Sequence, residues 1–108
     1  MTLPEANQIF ETISATKHKP LLNSLIKLAV RYSRYRVDWY LSSQEEQIEI
    51  DKERTLAHNA FIDACNILGR NMQNAGEDAS WRQKVGTDRK DIGDFACLLH
   101  AIIGIKAR

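Results

Sequence analysis

The chain has 108 residues, a formal net charge of +1, 44% hydrophobic residues and 27% charged residues. This length predicts one domain, and the balance of hydrophobic and charged residues excludes a disordered chain. A net charge near zero gives no support to a nucleic acid or an anionic membrane as the partner, since both favour a large positive excess. The sequence shows neither a secretory signal nor a membrane-spanning run, so we expect a cytoplasmic protein that does not associate with a membrane.

Apolar residues recur at spacings of three and four, which is typical of helices, and long alternating runs typical of strands are missing. The pattern predicts an all-α fold, an antiparallel helical bundle of four main helices plus one short helix, with helix three as the long central element. The helices are expected at about residues 4–16, 20–41, 44–73, around Trp81, and 88–105.

Local signals mark the ends of these helices. Pro4 and Pro20 each stand where a helical pattern starts, the position that proline tolerates best. The SSQEE segment offers two overlapping capping boxes, Ser42 to Glu45 and Ser43 to Glu46, which would start helix three after a tight turn. One continuous kinked helix is the alternative. Gly76 is expected to end helix three.

The second helix interleaves basic and aromatic residues, a combination found in proteins that bind single-stranded nucleic acids. On a helical wheel the aromatic residues share the core stripe: Tyr32, Tyr35 and Trp39. The basic residues Lys27, Arg31 and Arg34, which we name the basic ridge, lie roughly 90 degrees or more away. This separation favours a solvated or ion-paired face. Nucleic acid is possible but not favoured, and an acidic protein surface is an open alternative.

Charge is also ordered along the chain. Residues 17–36 hold six Lys or Arg and no acid, whereas residues 38–53 hold six acids against Lys52 alone. The two segments would cancel each other's field if they packed antiparallel or met across a dimer. We therefore expect a protein partner or a homodimer.

Helix three has a core face that changes character along its length. Its second half is apolar, whereas three residues extend the same face toward the N-terminus as polar groups: Asp51, Arg54 and His58. A polar stripe flanks the apolar part: Asn59, Asp63, Asn66 and Arg70. The start of the last helix supplies possible partners: Asp88, Arg89 and Asp91.

Two interpretations of these polar residues remain open. They could form a structural network that fixes helices three and five, or a pocket for a small ligand or nucleotide. Buried charges have to be paired, so in the first case Asp88→Ala should destabilise the fold by more than about 2 kcal/mol.

Motifs of catalysis are not found. No His and acid spacing matches a metal-binding bundle, no serine or cysteine has a nucleophile elbow, and no glycine-rich loop could hold a phosphate. Cys65 and Cys97 lack a CxxC spacing and are expected as buried, reduced thiols. His18 and His100 are expected at the surface. We therefore assign no catalytic residue, metal ligand or cofactor.

From about Arg36 onward the chain resembles a family of small, uncharacterised helical proteins of Gram-positive bacteria and their mobile elements. The residues that carry the resemblance are RTLAHNAFIDACNILGR (54–70), Trp81 and VGTDRKDIGDFA (85–96), which lie within a span of 43 of the 108 residues. The resemblance implies a bacterial or phage-associated origin and no assigned activity. The function expected is that of a small non-enzymatic interaction or regulatory protein.

Overall fold

The computed structural model describes residues 1–107 and consists, over these residues, of five helices without a strand. The helices are α1 (Leu3–Ser14), α2 (Lys19–Leu41), α3 (Gln44–Asn74), α4 (Trp81–Val85) and α5 (Arg89–Lys106). The predicted bundle of four main helices and one short helix is confirmed. α2 and α3 are separate helices, so the alternative of one kinked helix is wrong.

The helix ends follow from local hydrogen bonds. Thr2 and Glu5 form a capping box at α1, and Ser43 and Glu46 form the second of the two predicted boxes at α3. At the other end of α3 the Glu77 amide donates to Met72 O at 2.9 Å and the Gly76 amide donates to Gln73 O at 3.0 Å. Gly76 has a φ of 75°, so this is a Schellman motif with glycine in the left-handed region.

The core lies where all five helices meet, and α1 contributes Ala6, Ile9 and Ile13 to it. Its centre is a chain of aromatic rings in which Phe61 lies 6.3 Å from Tyr32 and 6.0 Å from Phe95, between ring centres. Trp81 of α4 lies 6.4 Å from Phe95 and donates its indole N–H to Met72 Sδ at 3.4 Å. α4 therefore closes the core although it has only five residues.

α2 and α3 form an antiparallel hairpin, and α5 packs mainly against α2. The longest helix is α3, as predicted, but the two most extensive helix pairings both involve α2, which makes α2 the centre of the packing. α5 begins at Arg89, whose guanidinium donates to Thr55 Oγ1 at 3.1 Å. The end of the hairpin therefore extends beyond α5 along the 47 Å axis of the molecule.

Candidate functional site

The predicted pocket between helices three and five does not assemble, because Arg54 faces α2. Arg54 Nη2 lies 2.9 Å from Asp51 Oδ1, and its guanidinium carbon lies 4.3 Å from the ring centre of Trp39. The side chain is 16% exposed. Arg54 is thus held by a carboxylate of its own helix and by the π face of an aromatic ring, a cation–π contact.

His58 also meets α2 rather than α5. Its ring packs edge-on against Tyr32 with ring centres 5.4 Å apart, and its Nδ1 lies 3.1 Å from Asn59 Oδ1. His58 and Arg54 therefore cover α2 side by side, one helical turn apart. Over residues 1–107 neither Arg54 nor His58 forms an ion pair with Asp88 or Asp91, so these residues do not form the expected network between helices three and five.

The first turn of α5 lies at the surface. Asp88 and Asp91 are exposed, and Asp88 occupies the N-cap position without a side-chain cap hydrogen bond. Arg89 is exposed and bonds to Thr55, which is a single contact to α3. The expected large cost of Asp88→Ala has no structural basis, because Asp88 is not a buried charge.

The polar stripe of α3 divides between solvent and α4. Asn59, Asp63 and Arg70 are exposed. Asn66 Oδ1 accepts a hydrogen bond from Arg82 Nε at 2.7 Å, and Arg82 Nη1 donates to Gly86 O at 2.7 Å. Arg82 thus ties α3 to the end of α4, a structural role that sequence reasoning missed.

A second polar cluster, also missed, joins α2 to α5. Arg36 Nη1 lies 3.3 Å from Asp94 Oδ1 and 3.5 Å from Cys97 Sγ. The Ser33 hydroxyl lies 3.5 Å from Cys97 Sγ and 3.1 Å from His100 Nδ1. The sequence does indicate this cluster, because Ser33 lies four residues after the buried Ala29 and Arg36 lies three residues after Ser33, which places both on the same side of the helix as Ala29.

Electrostatics support a structural role for this cluster. Burial disfavours the charge on Arg36, but the contacts with Cys97 and Asp94 outweigh burial, so the pKa of Arg36 is raised. Burial likewise disfavours the charged form of Asp94, but contacts with Lys90 and Arg36 outweigh it, so the pKa of Asp94 is lowered. Both groups are therefore stabilised in their charged forms.

Ser33 and His100 have the spacing of a nucleophile and its base, but Ser33 is only 5% exposed. It also lies in the middle of α2, where the backbone N–H groups are used within the helix and cannot stabilise an oxyanion. The arrangement suits hydrogen bonding between helices better than catalysis. The expectation that His100 lies at the surface is wrong, since it is half-buried.

His18 is the second histidine that was expected at the surface and is instead partly buried. Its side chain is 11% exposed, and Nε2 lies 3.1 Å from Glu77 Oε2. The pair connects the α1–α2 loop to the segment after α3. His18 is thus partly buried by the neighbouring loop, a contact between distant residues that sequence periodicity cannot indicate.

The two cysteines differ in their surroundings. Cys65 is buried as predicted, and burial raises the pKa of its thiol to about 12. Cys97 is half-buried beside Arg36, so its expected burial is only partial. Within residues 1–107 no group of three or more His, Cys, Asp or Glu side chains is placed to hold a metal ion.

Four exposed apolar side chains, among them the three most exposed of residues 1–107, lie at the end of the α2–α3 hairpin. We name this cluster the tip surface, and its members with their exposed fractions are Val37 (50%), Tyr40 (71%), Leu41 (82%) and Ile48 (78%). Trp39 lies between them: its ring centre is 5.6 Å from that of Tyr40, and it lines a shallow depression with Ile48. Trp39 therefore connects Tyr40 of α2 to Ile48 of α3.

The basic ridge is exposed, as predicted. Lys27, Arg31 and Arg34 all face solvent, and Arg31 lies over the half-buried Tyr35 ring at 5.9 Å. Tyr32 is 1% exposed. The predicted separation of basic residues from core aromatic residues holds for Tyr32, whereas Tyr35 is only half-buried and contacts Arg31. Over residues 1–107 the ridge has no row of exposed rings on which bases could stack.

Comparison with protein-family models, with curated proteins and with solved structures finds no match. The resemblance to a family of Gram-positive bacteria and mobile elements stays a prediction. In the described part of the chain, none of the helices combines the length and apolar character needed to cross a membrane.

Proposed function

We propose that this chain is a small non-enzymatic interaction protein that binds a protein partner through the tip surface. The observation that carries the proposal is that Tyr40, Leu41 and Ile48, each more than two-thirds exposed, lie on both sides of the turn between α2 and α3. Single exposed apolar residues are ordinary, but a continuous patch that includes an aromatic residue is typical of an interaction site.

The surroundings of the patch support this role. Trp39 is held between Arg54 and Tyr40, so the base of the tip surface is fixed before a partner arrives. Preorganised aromatic residues limit the entropy lost on binding. Exposed acids surround the patch and would form its polar rim: Asp38, Glu45, Glu49 and Asp51.

A role in binding a small ligand is the second candidate, and it has less support. Arg54 and His58 are packed against α2, while Asp63 and Asp88 point to solvent on other sides of the bundle. The shallow depression between α3 and α4 that Asn66 lines is the nearest approach to the expected pocket. From the resemblance alone, we further propose a cytoplasmic protein of a Gram-positive bacterium or its mobile elements.

The test compares immobilised wild-type protein with a Leu41→Glu/Ile48→Glu variant in an extract of the cells that produce it. Leu56→Glu is the matched control, since Leu56 is also an exposed apolar residue of α3, at 50%. We expect the wild type and the control to retain a common set of proteins that the tip variant does not retain. Equal retention by all three would contradict the proposal.

A thermal-shift screen with nucleotides and divalent metals tests the second candidate. A ligand present at about 100 times its dissociation constant adds about 2.7 kcal/mol to the free energy of unfolding. A flat screen is expected. A clear stabilisation by one compound would favour the ligand-binding role over the proposed one.

A further inference from the structure

The hairpin separates charge along its length instead of cancelling it. Trp39 packs against Arg54, and Tyr32 packs against His58 and Phe61, which fixes the register of the two helices. In this register the basic ridge of α2 lies beside α3 residues that follow Arg54. The acids of residues 38–53 lie nearer the turn. The tip is therefore acidic and the middle of the hairpin is basic.

Most charges of the two regions are unpaired over residues 1–107, where Asp51 is the one acid of residues 38–53 that forms an ion pair, with Arg54. Over residues 1–107, no ion pair within 4 Å joins Lys27, Arg31 or Arg34 to an acid. Glu45 and Glu49 are likewise exposed and lie outside these pairs. One molecule thus presents an apolar patch with an acidic rim and, on the same hairpin, a basic surface that matches this rim.

We propose that the partner of the tip surface is a second copy of this chain, with the tip of each copy seated on the basic ridge of the other. This inference rests on the proposed function and names its partner. A two-fold axis produces both contacts at once: where the tip of the first copy meets the ridge of the second, the tip of the second copy also meets the ridge of the first. The two-fold relation also closes the assembly at two copies.

The dimensions of α2 fit this arrangement. Lys27 and Leu41 are 14 residues apart, which is about 21 Å along a helix. A two-fold axis near the middle of this distance places Leu41 of one copy opposite Lys27 of the other. The tip's Val37 and Leu41 lie within about 60 degrees of Arg34 around α2 and would then pack on the aliphatic stems of Arg31 and Arg34, whose guanidinium groups would reach the acidic rim.

Two charge-reversal variants test this arrangement by sedimentation velocity. The ridge variant is Arg31→Glu/Arg34→Glu, and the tip variant is Glu45→Lys/Glu49→Lys. Glu46 is kept because it forms the capping box of α3. Circular dichroism melts check that each variant folds as the wild type does.

We expect the wild type to dimerise, more weakly as salt increases, and each variant alone to dimerise at least about tenfold more weakly. An equal mixture of the two variants should recover the wild-type dimer. In the mixed dimer, the acidic ridge of one chain meets the basic tip of the other, and the unchanged ridge meets the unchanged tip. Neither variant alone has this complementarity.

Three results would overturn the inference: a wild-type protein that stays monomeric, a dimer that both variants preserve, or a mixture that stays monomeric. A monomeric wild type whose tip surface still retains proteins from the extract would leave the proposed function standing with a different partner. Loss of both self-association and retention would contradict the two proposals together.

Discussion

The contact between Arg36 and Gly93 permits a sharp test of how α2 and α5 pack. A Cβ atom at Gly93 would lie 2.6 Å from both Cζ and Nε of Arg36, closer than packed atoms approach. Gly93→Ala should therefore displace the guanidinium from Asp94 Oδ1, now at 3.3 Å, and from Cys97 Sγ, now at 3.5 Å. The glycine is needed for the side chain of Arg36 rather than for a turn.

Two opposing effects set the change in the free energy of unfolding that Gly93→Ala causes. Alanine is favoured over glycine inside a helix by about 1 kcal/mol. A hydrogen bond to a charged group contributes about 1.5 to 3 kcal/mol, and the lower part of this range applies because Asp94 is part-exposed and also contacts Lys90. Gly93→Ala should lower the free energy of unfolding by about 0.5 to 1 kcal/mol in the wild type. In the Arg36→Ala background, Gly93→Ala should raise the free energy of unfolding by about 1 kcal/mol.

Urea denaturation of the wild type, both single variants and the double variant measures this coupling, expected at about 1.5 to 2 kcal/mol. Gly104→Ala is the matched control, because a Cβ atom there meets nothing within 4 Å. Its effect should be the same with and without Arg36. A coupling energy between Arg36 and Gly93 below about 0.5 kcal/mol would refute the reasoning.

Three further predictions follow from side chains that the structure places. Arg82→Ala should lower the free energy of unfolding by about 2 to 3 kcal/mol, since it removes two charge-assisted hydrogen bonds. Asp88→Ala should lower it by less than about 1 kcal/mol, because the Asp88 side chain forms no cap hydrogen bond. Equal effects of the two variants in urea denaturation would contradict this expectation. Because the pKa of Asp94 is lowered on folding, its contribution to stability is full above about pH 4 and is lost as the pH falls through the lowered pKa. Asp94→Asn should flatten the dependence of stability on pH in that acid range, and an unchanged profile would argue against the pair with Arg36. Cys65, whose pKa burial raises to about 12, should resist iodoacetamide in the native protein and react in urea, as mass spectrometry can show.

The helices could be predicted from the sequence because their signals are local. A capping box needs only two residues three positions apart, and the box of Ser43 and Glu46 starts α3 as predicted. Proline and glycine restrict or free their own backbone, and the structure confirms the helix ends predicted at Pro20 and Gly76. The burial of Phe61 and Cys65 likewise follows from the spacing of apolar residues in one helix. None of these inferences requires knowledge of which helices are neighbours.

The candidate site could not be predicted in the same way, because it depends on which helix lies opposite. A helical wheel placed Arg54 on the inner face correctly, but it cannot distinguish α2 from α5 as the helix that this face meets. The aromatic rings of Tyr32 and Trp39 had been assigned to the core alone. Their role as the surface under His58 and Arg54 appears only when the hairpin register is known.

The change from apolar to polar residues on the inner face of α3 follows from the unequal lengths of the helices. At 1.5 Å per residue, the 31 residues of α3 span about 46 Å and the 18 residues of α5 about 27 Å. α5 begins beside Thr55, and the buried residues of α3 lie from Ala57 to Met72, after this point. Before it, α3 meets α2 with one side open.

Long side chains with polar ends suit such a two-helix contact, because their stems can pack while their ends reach water or a backbone group. Arg54 stacks on Trp39, and Gln47 Nε2 donates to the carbonyl of Trp39 at 2.8 Å. The polar half of this face thus needs no ligand to account for it. Tyr40 and Ile48 are different, since they stay exposed at 71% and 78% on the side that no helix of residues 1–107 covers. Leu41, exposed at 82%, lies within about 40 degrees of Lys27 around α2. A second copy that packs on this side would cover Leu41, which is why the mixing experiment bears on the packing of this hairpin as well as on its partner.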